Sequence, residues 1–428
     1  MSQSASSISR RVPPAELTRN DIRASASRLI ACGTVAAALV LLESMVAVES
    51  AWLGALAAAG LAPAECVGVD LSSLVLPNDC ESLAVAGEDG GNPIIGLVEL
   101  LRQRAVPAVA PWIHRGLTSQ DVLDTSLMLA VRAVVDHLIS HLTEQISTLS
   151  ALAAAHRATP MVARTLAQHA APTTFGAKAA GWLDGVVDAV ERLDALVTPV
   201  QIGGAVGTWA APTELATLLN ATEPTEISEY LMRNTATTLG LQVRLPWHTT
   251  RTPVTAAADA FVGCTDSWGR ITSDIVTLVR PEIAELSEPA TGSRGGSSSM
   301  PHKRNPVLSI LIRRAAISAP QLAATLHTAA ALANDERPDG SWHAEWDTLR
   351  ILARRTVIAG SQCGELLAGL EVHSARMAEN LSRADVLGEQ RAIAGLAGKA
   401  PSATYFGAVD RLIDQSLDRA QQILKNHP

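Results

Sequence analysis

Between Gly292 and Pro306 the chain places three glycines, four serines, two arginines and a lysine within fifteen residues. That mixture suits oxyanion chemistry. Glycine frees backbone N–H groups to face a negative charge, serine hydroxyls can give or take a proton beside it, and Arg294, Lys303 and Arg304 add positive charge. Glycines and prolines rule out continuous helix here, which leaves either a functional loop or a flexible linker. A phosphate-loop reading fails, because no Gly-Lys-Ser/Thr follows the first glycine at the required spacing.

Two further stretches combine polar groups with helix-breaking residues. In His114-Arg115-Gly116-Leu117-Thr118-Ser119-Gln120-Asp121-Val122-Leu123-Asp124-Thr125, Thr118 or Ser119 can cap a following helix, with Asp121 and Asp124 in its first turn. Capping accounts for those residues but leaves His114 unexplained. In Arg164-Thr165-Leu166-Ala167-Gln168-His169-Ala170-Ala171-Pro172-Thr173-Thr174-Phe175-Gly176, His169 taken alone reads as a structural histidine. Beside Gln168 and a Pro-Thr-Thr turn, it is also a candidate acid/base or hydrogen-bond donor.

The order of residues is more specific than the composition. Gly296-Ser297-Ser298-Ser299-Met300-Pro301-His302-Lys303-Arg304-Asn305-Pro306 resembles the GSSxMPxKxNP signature of the fumarase/aspartase superfamily, matching all eight fixed positions without a gap. The other two stretches are similar to its HxGxTSxDxxDT and RTxxQxAxPxTFG motifs, and Gly203 to Thr208 to its short glycine turn. The resemblance implies that Ser297 is the catalytic base, with Ser298 expected among the substrate-binding residues and the alternative base. It implies that Lys303, Asn305, Thr118 and Ser119 hold a substrate carboxylate, with His114 and Gln168 beside it. His169 is expected to orient the reacting carboxylate. The fold implied is an all-α, three-domain lyase fold, assembled as a homotetramer whose active sites each draw on three subunits.

Within the superfamily, Leu42 to Ala51, Trp247-His248-Thr249-Thr250-Arg251 and Trp342-His343-Ala344-Glu345-Trp346 resemble bacterial 3-carboxy-cis,cis-muconate cycloisomerases. On that basis Arg251 joins the expected substrate-binding residues; helix packing is the alternative account of the Trp342/Trp346 pair. Superfamily lyases that expel an amine or hydroxide pair a histidine with a glutamate thirteen residues after the serine. Here Leu166 and Ile310 stand at those positions. A carboxylate leaving group, whose conjugate acid has a pKa of about 4, departs without a proton and tolerates that loss. The expected reaction is therefore closure of a tricarboxylate, 3-carboxy-cis,cis-muconate, to its lactone, with no metal or organic cofactor. The alternatives are adenylosuccinate lyase or another lyase of the superfamily, and a non-catalytic helical scaffold.

The elements that must hold these residues read as helices. Alanine and leucine dominate and aromatics make up only 3% of the 428 residues. Asp121 to Thr159 contains neither glycine nor proline, and about 39 helical residues make a rod of roughly 58 Å. Similar segments run over Ala177–Val197, Pro253–Leu286, Val307–Asn334 and His343–Leu370. A central bundle of about five long helices follows, with almost no strand. The expected organisation is a disordered extension over 1–20, an N-terminal helical domain over 21–112, the bundle over 113–370 and a short helical domain over 371–428. A net charge of -8 argues against a nucleic-acid partner. Five scattered cysteines (Cys32, Cys66, Cys80, Cys264, Cys363) suggest neither disulfides nor a zinc site and fit a reducing cytoplasm. The apolar run Leu29–Leu42 is too short to span a membrane. It reads as the start of a buried helix rather than a signal peptide, because the apolar spacing continues past Glu43 and Glu49.

Overall fold

A computed structural model describes residues 34–289 and 294–427. The expected extension over 1–20 and the loop residues Gly292 and Ser293 lie outside the described residues. The helices are α1 (Thr34–Ala58), α2 (Asp79–Gly90), α3 (Ile94–Arg104), α4 (Ser119–Ala155) and α5 (Phe175–Asp194). Next come α6 (Ala210–Leu218), α7 (Pro224–Leu239), α8 (Thr252–Leu278), α9 (Val307–Ala331) and α10 (Gly340–Ala368). The last three are α11 (Ser374–Ser382), α12 (Gly388–Leu396) and α13 (Val409–Asn426). The all-α expectation holds, and most of the Asp121 to Thr159 segment lies in the 37-residue α4, which ends at Ala155.

The chain divides into two compact units, one reaching His137 and including Pro199–Pro246, the other Leu138–Thr198 with Trp247 onward. α4 contributes its first half to one unit and its second half to the other.

In the first unit α1 buries Leu42, Met45, Val46, Trp52, Leu53 and Leu56 at helical spacing. Trp52 Nε1 donates to the Arg115 carbonyl over 2.6 Å, which fixes the chain just before α4. By length and apolarity alone, Leu39–Ala58 and Val307–Ala331 could each cross a membrane. More than half of the first window is buried inside the unit, and its centre holds the buried Glu49, so a core helix is the better account.

The second unit is the bundle. Gln145 on α4 accepts from Trp268 Nε1 of α8 and donates to the Gly360 carbonyl of α10, both over 2.8 Å, so one buried amide ties three helices. Trp182 on α5 donates to Asp274 on α8 over 2.9 Å. Cys66, Cys264 and Cys363 are buried, and loss of hydration pushes the Cys264 thiol up to about 12, which keeps it inert. The segment after Glu371 belongs to this unit: α13 packs along α5, and α11 packs against the first strand of a hairpin.

That hairpin was not expected. β1 (Pro160–Thr165) pairs antiparallel with β2 (Gln168–Thr174), with an irregularity between Val162 and Arg164. A second two-residue ladder joins β3 (Leu286–Ser287) to β4 (Glu371–Val372). The hairpin hides its alternation because its outer half is exposed on both faces, so no apolar period of two survives. Phe175 and Gly176 then start α5 against the end of α4. A Cβ on Gly176 would lie 2.7 Å from the Ala153 carbonyl, and so only glycine fits.

Candidate active site

The signature loop is closed by its own backbone. Asn305 donates to the Gly295 carbonyl twice, from N over 2.8 Å and from Nδ2 over 3.1 Å. Gly295 sits at φ +76 with Asn305 so close that a Cβ would meet its carbonyl at 2.6 Å. Outside the ring, Arg294 pairs with Glu365 of α10, and the Glu288 carboxylate caps α9 by accepting from Leu308 N and Ser309 N.

Within the ring the half-buried Ser297 accepts from Met300 N over 3.2 Å and, more weakly, from Ser299 N over 3.4 Å. Hydrogen bonds donated to a hydroxyl oxygen favour its negatively charged form. Ser298 is exposed and its hydroxyl makes no hydrogen bond among the described residues. The exposed Lys303 is held through its backbone N–H on the Met300 carbonyl, and its ammonium has no ionic partner among the described residues. The Asn305 side-chain amide thus also serves to close the loop.

The His114 to Thr125 stretch is organised by Asp121, a fully buried carboxylate. It accepts from Thr118 N, Gln201 Nε2, Gly203 N and Gly204 N, over 2.8 to 3.1 Å. Thr125 exchanges two hydrogen bonds with the Gln201 backbone. First-turn capping therefore understates Asp121, which pins the glycine turn over 203–208 against the Thr118–Ser119 corner. His114 adopts φ 64 and places Nδ1 2.6 Å from Oε1 of the buried Glu49. A cleft of about 580 Å3 in this unit is lined by His114, Ser119, Arg102 and Gln103 over an apolar floor that includes Ile94 and Val98.

The third motif sits on the hairpin. Arg164 makes a two-pronged ion pair, over 2.8 and 3.0 Å, with the buried Glu285, which also accepts from Asn380. Thr174 caps α5 by accepting from Ala177 N. Gln168 and His169 stand exposed near the tip. The tip itself is a two-residue turn, Leu166-Ala167, at φ 48 and 64, with Leu166 98% exposed. Ile310, in the first turn of α9, is also solvent-facing. Both positions where related lyases keep an acid/base pair therefore present bare hydrocarbon.

Arg251 lies inside the second unit. Expected to bind substrate, it is 2% exposed, and its Nε and Nη2 donate to the Glu345 carboxylate over 2.5 to 3.1 Å. Its Nη1 reaches the Trp247 and His248 carbonyls, and the guanidinium lies 4.8 Å from the Trp247 ring centre. The Trp247–Arg251 and Trp342–Trp346 stretches are thus two halves of one buried clasp, closed by Arg251–Glu345 and flanked by edge-to-face packing of Trp342 on Trp346. The guanidinium is thus almost fully buried and hydrogen-bonded within the protein.

The signature loop and the hairpin tip both belong to the second unit, yet no hydrogen bond joins them among the described residues. Sequence reading missed Glu49, Glu285, Glu288 and Gln201, whose partners lie far along the chain. Glu49 alone left a trace, as a charge inside an apolar helical run. Among the described residues no cluster of His, Cys, Asp or Glu is arranged to hold a metal.

A family model described as lyase matches residues 74–320, and three of the site's stretches fall inside it. The chain belongs to the lyase family of the fumarase/aspartase superfamily. It is therefore an enzyme of the lyase type. It is 44% identical to a nitrosuccinate lyase of Streptomyces davaonensis over 79% of this chain and 72% of that one. It is 39% identical to a 3-carboxy-cis,cis-muconate cycloisomerase of Bradyrhizobium diazoefficiens over 79% and 74%. Among solved structures, the 3-carboxy-cis,cis-muconate lactonizing enzyme of Pseudomonas putida aligns at TM-score 0.77 and 28% identity, over 96% of this chain and 99% of that one.

Proposed function

We propose that this lyase makes or breaks a bond between carbon and a leaving group that departs as an anion, unassisted by a proton. The observation that carries this is the hydrocarbon at Leu166 and Ile310, where a protonated leaving group would need an acid. Ser297 removes, or in reverse delivers, the proton on the carbon next to a substrate carboxylate. The negative charge that develops on that carboxylate meets Thr118, Ser119, Lys303, Asn305 and loop N–H groups. Gln168 and His169 orient the departing or attacking group. Each step is heterolytic, so the reaction calls for no redox cofactor.

Two substrates meet this requirement. With 3-carboxy-cis,cis-muconate, a carboxylate adds within the molecule to close a lactone, a reading supported by the Trp247–Arg251 and Trp342–Trp346 stretches. With nitrosuccinate, loss of nitrite and a proton yields fumarate, and nitrite likewise leaves as a stable anion. The higher identity to the nitrosuccinate lyase favours this second reading. The test offers both acids to the purified protein. Loss of diene absorbance assigns the cycloisomerase reaction, and equimolar nitrite and fumarate assign the elimination. Turnover of neither, alongside turnover of adenylosuccinate, would overturn the anionic-leaving-group reading.

The working enzyme in this reading is a homotetramer with each site shared by three subunits. The support is α9, apolar enough to cross a membrane yet only one-third buried, with Ile310 and Ile317 open to solvent. Light scattering at micromolar concentration tests this directly, and a monomer refutes it.

A further inference from the structure

Glu49 lies on α1 with no exposed surface, and its Oε1 is 2.6 Å from His114 Nδ1. Its second oxygen, Oε2, is buried with no hydrogen-bond partner among the described residues. An unsatisfied buried carboxylate oxygen is expensive, and fold stability alone gives no reason to keep one. His114 is itself held in an uncommon backbone conformation, φ 64. Its flanking carbonyls are gripped from both sides: Arg102 Nη2 donates to Ile113 O over 2.8 Å and Trp52 Nε1 to Arg115 O over 2.6 Å. Backbone conformations of this kind persist where the surrounding structure over-determines them.

We propose that Glu49 is a positioning residue that acts through His114. Its carboxylate accepts the hydrogen bond from Nδ1–H, which fixes the tautomer and ring orientation and leaves Nε2 as the nitrogen offered to the cleft that His114 and Ser119 line. A proton at Nε2 then makes an imidazolium against the Glu49 carboxylate, a neutral pair able to donate a charge-assisted hydrogen bond to a substrate carboxylate. The family's acid/base pair is gone at Leu166 and Ile310, and a different histidine–glutamate pair stands in the first unit, used for binding rather than for protonating a leaving group.

This inference rests on the proposed reading of the reaction, and the test separates the two. Glu49→Met, Glu49→Gln, His114→Ala and the double variant Glu49→Met/His114→Ala are compared for kcat and KM on whichever acid the wild type turns over, with urea unfolding of each. His114→Ala and Glu49→Met should each raise KM roughly 10- to 100-fold with kcat much less affected, as expected for losing one charge-assisted hydrogen bond. Glu49→Gln keeps an acceptor for the Nδ1 proton and should recover part of that loss. The double variant should be no worse than His114→Ala alone, because both changes remove one interaction. Losses that multiply in the double variant, or a Glu49→Met enzyme with wild-type KM, overturn the assignment. If Glu49→Met does not fold, the Glu49→Gln and His114→Ala cycle decides on the same criterion. A wild type that turns over neither acid refutes the reaction reading instead, a distinct outcome.

Discussion

Arg251→Met should unfold the enzyme more easily without changing how tightly it holds substrate. Arg251 and Glu345 are both essentially unexposed, and at least three N–O contacts of 2.5 to 3.1 Å join them. Removing the guanidinium strands the Glu345 carboxylate away from water, and breaking a buried pair from one side costs about 3–5 kcal/mol. The Trp247 and His248 carbonyls lose a donor as well, and the Trp247 ring loses its cation. At about 3 kcal/mol per molar urea, the unfolding midpoint should fall by roughly 1–2 M. Glu345→Gln should lose less than Glu345→Ala, since an amide still accepts. The paired change Arg251→Met/Glu345→Leu should regain most of the loss, because well-packed apolar replacements of buried pairs are often neutral. The assay is urea unfolding followed by fluorescence, with KM measured at a temperature where every variant is folded. If Arg251→Met kept its midpoint but raised KM tenfold or more, Arg251 would be a substrate ligand and the clasp would be misread.

Ser297→Ala should reduce turnover at least roughly 10²-fold with little change in unfolding midpoint, and Ser298→Ala should be much milder; the reverse order would move the base to Ser298. Ile310→Glu should raise KM through repulsion of an anionic substrate, with the effect easing at higher salt; a faster enzyme would mean that the leaving group needs a proton after all. Asp79 is held below the usual carboxylate range, first by hydrogen bonds from Arg104 over 2.6 and 2.8 Å. Its folded pKa lies below the unfolded value of about 4, so its contribution is complete above that pH and is lost as pH falls towards the folded value. Asp79→Asn should flatten that acid limb of the stability–pH curve, and an unchanged limb would remove the pair from the account.

Helix spacing made the bundle legible: a glycine- and proline-free run such as Asp121–Thr159 leaves few alternatives to α4. The signature loop was legible for a different reason, since its chemistry depends on residue order within a short stretch. Contacts across long separations were not. Nothing at position 251 marks whether an arginine reaches solvent or Glu345, ninety-four residues on. Asp121 read as a first-turn acid because helix-capping rules see only neighbours, whereas three of its donors come from 201 to 204. The hairpin escaped for want of an apolar alternation.

The hairpin tip has a meaning for stability. Two consecutive residues with positive φ make the mirror-image turn that Asn-Gly forms readily, and here leucine and alanine occupy it. Each carries roughly 1–2 kcal/mol of avoidable backbone strain, and the leucine adds a hydrocarbon surface open to water. Two substitutions would relieve both. Exchanging Leu166-Ala167 for Asn-Gly should therefore raise stability, and a fall in turnover alongside it would assign the tip a part in the reaction.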